Sequence, residues 1–193
     1  MLNFIQLNRA FSALIAAGVL VLFLAVRMFL ASQPVPVGEF ILPAMSGWSR
    51  EVKDKGERRQ VLYHSHVRGN RLSINLSYEP PGAKPPQTLQ TLQSEFADGR
   101  ALIGSLAAKH GLNSPGMGAA TYQPTTINGL PAVLVKENWG GTSRTTLKSL
   151  LVVKGVNAYV IISSVTVPTG LPSFPDADNQ LEDAWQKLTN LIR

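Results

Sequence analysis

The stretch "TSRTTLKSLLVVKGVNAYVIISSVTV", residues 142–167, decides the fold. Its two halves are rich in apolar and β-branched residues and are separated by Gly155-Val156-Asn157, which predicts two strands joined by a turn. The preceding segments, "AATYQPTTI" and "LPAVLVKENW", flank Asn128-Gly129, a pair that accepts the positive φ angles of a type I′ hairpin turn. The sequence therefore predicts a meander of four antiparallel strands over residues 119–167.

Two more strands are predicted upstream of this meander. "NRLSINLSYE" at 70–79 alternates apolar and polar residues, the pattern of a half-buried strand, and its partner is "RRQVLYHSHV" at 58–67. Basic and acidic residues are interleaved between Arg50 and Arg71. Mixed charges of this kind indicate a solvated hairpin face, and contact with anionic lipid headgroups is the alternative.

Two helices complete the predicted domain. The first begins after Thr88, an N-cap residue type, and ends at His110-Gly111, and Gly99 and Gly104 weaken it. Its apolar stripe consists of Leu89, Leu92, Phe96, Ile103 and Leu106. The second is capped by Asp176 or Asp178, and its apolar residues recur at helical spacing: Leu181, Ala184, Trp185, Leu188, Leu191 and Ile192.

The fold class that follows is α+β, an antiparallel β-sheet packed with helices in an α-β-α sandwich. "GEFILPAMSGWS" at 38–49 and "INGLPAVLV" at 127–135, together with the meander and the last helix, resemble the PsbP/Mog1/DcrB-like superfamily. The resemblance covers roughly residues 38–193. It implies a compact sandwich that acts as a non-catalytic binding or assembly partner.

The N-terminal region is strongly apolar. Ala10 to Val26 contains no charged residue, and the apolar run continues past Arg27 to Ala31. About 20 residues cross a bilayer, and an arginine near one end can reach the headgroups. Phe29 stands where a signal-peptide cleavage site needs a small residue, so a retained anchor is predicted rather than a cleaved leader. The predicted organisation is a tail at 1–9, a single-pass transmembrane helix at 10–31, a stiff tether at 32–38 and an exported domain at 39–193.

The predicted span has a face of small residues: Ser12, Ala13, Ala16, Ala17 and Gly18. Such a face lets a second helix approach closely in lipid, so integral membrane subunits are predicted partners beside the bilayer itself. Arg9 precedes the span, and after Arg27 no Lys or Arg occurs until Arg50. The positive-inside rule therefore places the N-terminus in the cytoplasm and the domain on the periplasmic or lumenal side of the inner membrane.

The amino-acid composition excludes several classes of functional site and partner. The chain of 193 residues has no cysteine, which excludes disulfides, thiolate metal sites and a cysteine nucleophile. No catalytic or nucleotide-binding motif occurs, so no enzyme activity and no cofactor are predicted. The net charge is +6, but nucleic acid is not a predicted partner because no aromatic residues are interleaved with the basic ones.

Three groups of side chains are the remaining site candidates. His64 and His66 lie two apart on a strand and could share a metal ion, although a third ligand is needed and the third histidine, His110, ends a helix. The acids of the last helix, Asp176, Asp178, Glu182 and Asp183, are interpreted as partners of the helix dipole. Trp139, beside Gly140-Gly141, is either a partner-binding residue or part of the sheet edge.

The favoured function is a membrane-anchored, non-catalytic accessory subunit or assembly and stability factor of a larger membrane protein complex. One alternative is a free-standing, membrane-tethered binding module of the cell envelope for a small ligand or a polymer. Another is an accessory of a secretion or exosortase-type system, which shares the anchor and the "G-W" layout.

Overall fold

A computed structural model describes residues 15–26, 28–29, 32–55, 58–79, 88–109, 118–141, 143–172 and 174–193. Residues 15–26 form a helix, α1. The elements that follow are β1 (Val35–Val37), β2 (Phe40–Leu42), β3 (Ser49–Lys55), β4 (Arg58–Val67), β5 (Asn70–Glu79), α2 (Leu89–Lys109), β6 (Thr121–Ile127), β7 (Leu130–Trp139), β8 (Ser143–Lys154), β9 (Asn157–Pro168) and α3 (Pro175–Thr189).

The predicted α+β class is confirmed. Seven strands form one sheet in the order β3-β4-β5-β9-β8-β7-β6, and every neighbouring pair is antiparallel. The predicted turn at Asn128-Gly129 is present, with φ angles of 49° and 83°. The strands β8 and β9 lie inside the sheet because both of their faces carry apolar residues that neighbouring layers cover.

Helices pack on opposite faces of this sheet. Neighbouring residues of a strand point to opposite faces, and Leu150 belongs to the core cluster of α3 whereas Leu151 belongs to that of α2. The α3 side contains the larger core, with Tyr63, Ile74, Ile161 and Leu188 fully buried. The three layers are therefore α2, the sheet and α3.

The helix α3 corrects one prediction. Its N-cap is Phe174 without a side-chain capping bond, and Pro175 opens the helix, so neither Asp176 nor Asp178 is the cap. Both aspartates lie in the first turn, where the helix dipole favours them. The predicted apolar stripe is largely confirmed, since Ala184, Trp185 and Leu188 are buried against the sheet.

The helix α2 differs from its prediction in one half. Leu92 is buried and Phe96 packs against the same cluster, whereas Leu102, Ile103 and Leu106 are exposed. The apolar contact ends near Arg100, which forms an ion pair with Glu137 of β7. Gly99 and Gly104, which are expected to weaken the helix, do not interrupt it, and it is continuous from Leu89 to Lys109. His110 lies outside the described residues.

The segment before the sheet is more ordered than predicted. Part of the predicted tether, Val35–Val37, pairs with Phe40–Leu42 in a separate two-stranded hairpin. Val37 and Leu42 are fully buried, and the ring centroids of Phe40 and Tyr159 lie 4.6 Å apart. The folded domain therefore begins before residue 39, because this hairpin contributes to the main core.

The strand β3 is absent from the sequence prediction. It carries alternating charges, "REVKD", and lacks the apolar period on which strand prediction depends. It is an edge strand, where charged side chains are common because they oppose pairing with other chains. The mixed charges between Arg50 and Arg71 thus belong to a β3–β4 hairpin and its extension into β5.

The predicted transmembrane helix lies only partly in the described residues. Residues 10–14, 27, 30 and 31 of it are outside them. Across the described ranges, no helix is both long enough and apolar enough to cross a membrane.

Candidate functional site

A cleft opens on the α2 side of the sheet, near the first turn of α2. Its volume is about 280 Å³. Leu92, Ala158 and Val160 form its apolar floor, and Lys53 and Arg58 lie at its rim. The helix α2 packs on β7 and β8, so the surface of β4 and β5 beside the cleft is not covered by it.

A row of polar side chains continues from the cleft along β4 and β5. Residues paired across an antiparallel ladder point to the same face, which places Gln60, Ser77 and Val160 together, and likewise His64, Ser73 and Ser164. We name the half-buried side chains of β4 and β5 in this row the polar strip: Gln60, His64, Ser73, Asn75 and Ser77. Leu62 lies among them on the same face.

Two members of the polar strip each have one buried side-chain atom without a hydrogen-bond partner among the described residues. His64 Nδ1 and Asn75 Oδ1 are buried, and neither atom has a partner within the structure. Ser149 Oγ, on the same face in β8, is a third such atom. Other members are paired, since Ser73 Oγ contacts Ser164 Oγ and Gln60 Nε2 donates to Ser77 Oγ at 3.4 Å. The strip therefore keeps polar capacity that the fold itself does not use.

A second polar group ties α2 to the sheet. Arg100 Nε donates to Glu137 Oε2 at 2.7 Å, and Trp139 Nε1 donates to the same oxygen at 2.9 Å. The Glu137 side chain is only 3% exposed. Arg100 also donates to the carbonyl of Gly118, whose own N–H donates to the carbonyl of Asn138. This network is fully engaged and is structural in character.

Trp139, predicted as a partner-binding residue or an edge residue, is half-buried and lies at the end of β7. It lines a shallow depression of about 600 Å³ together with Arg144, Thr145 and Asp178. Its indole N–H is committed to Glu137, which leaves only part of the ring for contact with a partner. The partner-binding role of Trp139 stays a prediction.

Among the residues that the structure describes, no third metal-ligating side chain joins the two histidines. His64 is half-buried, whereas His66 is exposed beyond it on the same strand. Within the described ranges there is no group of three or more metal-ligating side chains. A third ligand could not be excluded from the sequence alone, because strand pairing decides which residues face His64.

The acidic residues of α3 point to separate ion pairs rather than to one site. Asp176 contacts Arg68 at 3.2 Å, and Glu182 accepts from Lys148 Nζ at 2.5 Å. Burial acts to raise the pKa of Glu182, but hydrogen bonds from Lys148 and Gln186 outweigh it, so the pKa lies below its ordinary value. Lys148 also lies over the Trp185 ring, 4.3 Å from its centroid. The acidic residues of α3 therefore have a second structural explanation besides the helix dipole, because two of them form ion pairs with basic residues.

Two tyrosines on the α3 side have shifted ionisation. Burial raises the pKa of Tyr159 to about 12, and its hydroxyl lies 3.4 Å from Glu39 Oε1. Burial also raises the pKa of Tyr63, whose hydroxyl donates to the carbonyl of Pro43. Both phenols are neutral at physiological pH, and Tyr159 packs against Phe40 of the first hairpin, whereas Tyr63 binds the carbonyl of the residue that follows it.

The small residues predicted on the helix face are only partly described. Ala16, Ala17 and Gly18 are exposed in α1, and Gly18 has open space around its Cα. Ser12 and Ala13 lie outside the described residues.

Comparison with known proteins adds little. No known family and no curated protein matches the sequence. A protein of unknown function from Pseudomonas aeruginosa, PA94, is 19% identical, with a TM-score of 0.39 over 82% of this chain and 93% of that one. LpqN of Mycobacterium tuberculosis, involved in cell envelope biogenesis, is 16% identical, with a TM-score of 0.38 over 80% and 78% of the two chains. Similarities this slight carry no argument, and the PsbP/Mog1/DcrB-like resemblance stays a prediction.

Proposed function

We propose that this protein is a membrane-anchored, non-catalytic accessory subunit or assembly factor of a larger membrane protein complex. One observation supports the proposed anchor. The large apolar side chains of the first helical segment, from Ile15 to Phe29, are between 49% and 74% exposed. A helix that is apolar all round is stable only inside a protein core or in lipid. In this proposal residues 10–31 cross the inner membrane.

The proposed membrane topology of the chain follows from the basic residues near the span. Arg9 stays in the cytoplasm, and the domain after Ser32 lies on the periplasmic or lumenal face. Ala16, Ala17 and Gly18 supply the surface for a neighbouring helix, because small side chains let two backbones approach within van der Waals contact in lipid.

A binding role is supported by the state of the charged groups. Glu137, Asp176 and Glu182 are each paired with a basic residue, which gives these carboxylates a structural role. The superfamily resemblance points to the same non-catalytic role.

Extraction in a mild detergent, followed by size analysis, tests the proposal. The 20.9 kDa chain should co-migrate with a much larger assembly. The variant A17I/G18I should release it, because branched side chains prevent close helix approach, whereas V21I should leave the assembly intact. A chain that migrates alone before any substitution would contradict the proposal.

A second candidate function is a free-standing binding module that is merely tethered to the membrane. The cleft and the unpaired atoms of the polar strip favour it. Replacing residues 10–31 with an unrelated polyleucine span distinguishes the two. An accessory subunit loses its cellular function with the exchange, whereas a tethered module keeps it.

A further inference from the structure

The chain passes from the first helical segment to the folded domain within a very short distance. Ser32 is helical, and its hydroxyl donates to the carbonyl of Phe29 at 2.7 Å. The strand β1 begins at Val35, so only Gln33 and Pro34 separate it from Ser32. Two residues span at most about 7 Å. This junction therefore has little slack.

The backbone of the junction also has little conformational freedom. Pro34 and Pro36 have fixed φ angles, and Gln33 and Val35 each precede a proline, which confines them to extended conformations. Every residue from 33 to 36 is thus restricted by covalent structure alone. Flexible linkers are instead rich in Gly and Ser, which impose no such restriction.

Arg50 of the edge strand β3 ties the start of the junction to the domain. Its Nη2 donates to the carbonyl of Gln33, and its Nη1 donates to the carbonyl of Leu42 in β2 at 3.4 Å. Arg50 is half-buried, whereas Gln33 is exposed. One guanidinium therefore connects the residue after the helical Ser32 to the hairpin that belongs to the main core.

Arg59 of β4 holds the end of the junction. Its Nη1 donates to the carbonyl of Pro36 at 2.6 Å. Asp54 of β3 accepts two further bonds from the same guanidinium, at 2.6 and 3.0 Å, which fixes its plane. Both carbonyl groups that the two arginines bind thus meet side chains of the β3–β4 hairpin.

We propose that Arg50 and Arg59 hold residues 33–36 against the β3–β4 hairpin, so that the domain keeps one orientation relative to the first helical segment. This inference rests on the proposed function, in which that segment crosses the membrane. A fixed orientation presents the same face of the domain to a neighbouring subunit at a constant height above the bilayer. A free-standing module needs no such constraint.

Distances between two spin labels test the inference. The chain has no cysteine, so V26C/T125C places labels at two sites alone, one in α1 and one exposed on the edge strand β6. Six strand spacings, about 29 Å, separate β6 from β3, so a rotation at the junction moves the second label far. Pulsed dipolar spectroscopy of the full chain, in phosphatidylcholine nanodiscs and in detergent micelles, should give one narrow distance distribution.

Three changes made in the labelled chain show what holds the junction. Insertion of Gly-Ser-Gly-Ser between Gln33 and Pro34 adds a flexible segment of about 11 Å and should broaden the distribution by a similar amount. R50Q should broaden it by less than the insertion, because Pro34 and the bond from Arg59 remain. R71Q, the same charge change on the opposite face of the sheet, should leave it narrow.

The outcomes separate this inference from the proposed function. An unmodified junction as broad as the insertion variant, an unchanged distribution in R50Q, or equal broadening in R71Q would each overturn the inference. The insertion removes no side chain, so its comparison with the parent chain decides the matter if thermal unfolding shows that R50Q is not folded. Flotation of the chain with liposomes reports on the anchor separately, and the micelle measurement does not depend on that result.

Discussion

Individual polar side chains on the α2 side of the sheet have two contrasting environments. Glu137 is buried and accepts from both Arg100 and Trp139, so its charge is matched. Asn75 and His64, on the same face of the same sheet, leave buried atoms unmatched. The first arrangement stabilises the position of α2, whereas the second leaves hydrogen-bonding groups that the described residues do not satisfy, which is uncommon in native proteins.

The substitution E137Q tests the structural ion pair. It leaves the guanidinium of Arg100, whose side chain is 18% exposed, without a counter-charge. Breaking a buried pair from one side costs about 3 kcal/mol. Urea unfolding should show this loss for E137Q, whereas E182Q, the same change in an exposed pair, should cost less than about 1 kcal/mol. Equal losses of unfolding free energy in the two variants would contradict the expectation that the buried pair contributes more stability than the exposed one.

The ionisation of Tyr159 gives a pH prediction. Its pKa in the folded protein is about 12, raised from 10 because burial favours the neutral phenol. A raised pKa contributes stability that is fully present below pH 10 and is lost as the pH rises towards 12. Ultraviolet titration of the phenolates should show a class of tyrosine near pH 12 that Y159F removes. A titration that Y159F leaves unchanged would contradict this assignment.

Among the elements, α2 is packed over only half of its length. Its N-terminal turns contact Leu151 and Ala158 of the sheet, whereas Leu102, Ile103 and Leu106 are exposed. Gly99 lies at the transition, exposed and with open space around it. Tertiary contacts therefore stabilise the first half, and helix propensity matters more in the second.

Two glycines near α2 should respond to alanine in opposite ways. G99A adds a methyl group into open space within a helix and should stabilise the fold by about 0.5–1 kcal/mol. G118A would place its Cβ about 2.3 Å from the carbonyl oxygen of Asn138, which the backbone must move to relieve. Thermal unfolding should show a rise for the first and a fall for the second. A rise for both would mean that residue 118 is not held against β7.

At the scale of the whole molecule, the chain has two parts that differ in how far their apolar side chains are exposed. The apolar helix α1 exposes nearly all of its side chains, whereas the domain that follows has a core on each face of its sheet. The β1–β2 hairpin connects them in sequence, yet it belongs to the domain because Val37 and Leu42 are fully buried.

Two truncations locate the boundary of the folded part. Removal of residues 1–31 should leave the urea midpoint nearly unchanged, because none of the described residues among them belongs to a core cluster. Removal of residues 1–42 takes away Val37, Phe40 and Leu42, whose burial contributes on the order of 5 kcal/mol. That sum is comparable with the whole stability of a small domain, so the shorter chain should not fold. A cooperative transition in the shorter chain would place the boundary later.

The sequence by itself determined the elements whose residues repeat with a clear period. Strands β4, β5 and β6 to β9, the turn at Asn128-Gly129 and the apolar stripe of α3 follow from local pattern and turn chemistry. It missed β3, whose charges hide the strand period, and β1 and β2, which are too short to show one.

Only the tertiary structure decided how these elements combine. It brought Asn75 of β5 beside the same-face residues of β4 and β9, and Glu137 of β7 against Arg100 of α2. Such contacts join residues far apart in the chain, and sheet order is set by which apolar faces can be buried together. A local pattern states which face of a strand is apolar, but not which neighbour covers it, and for that reason the polar strip was not visible in the sequence.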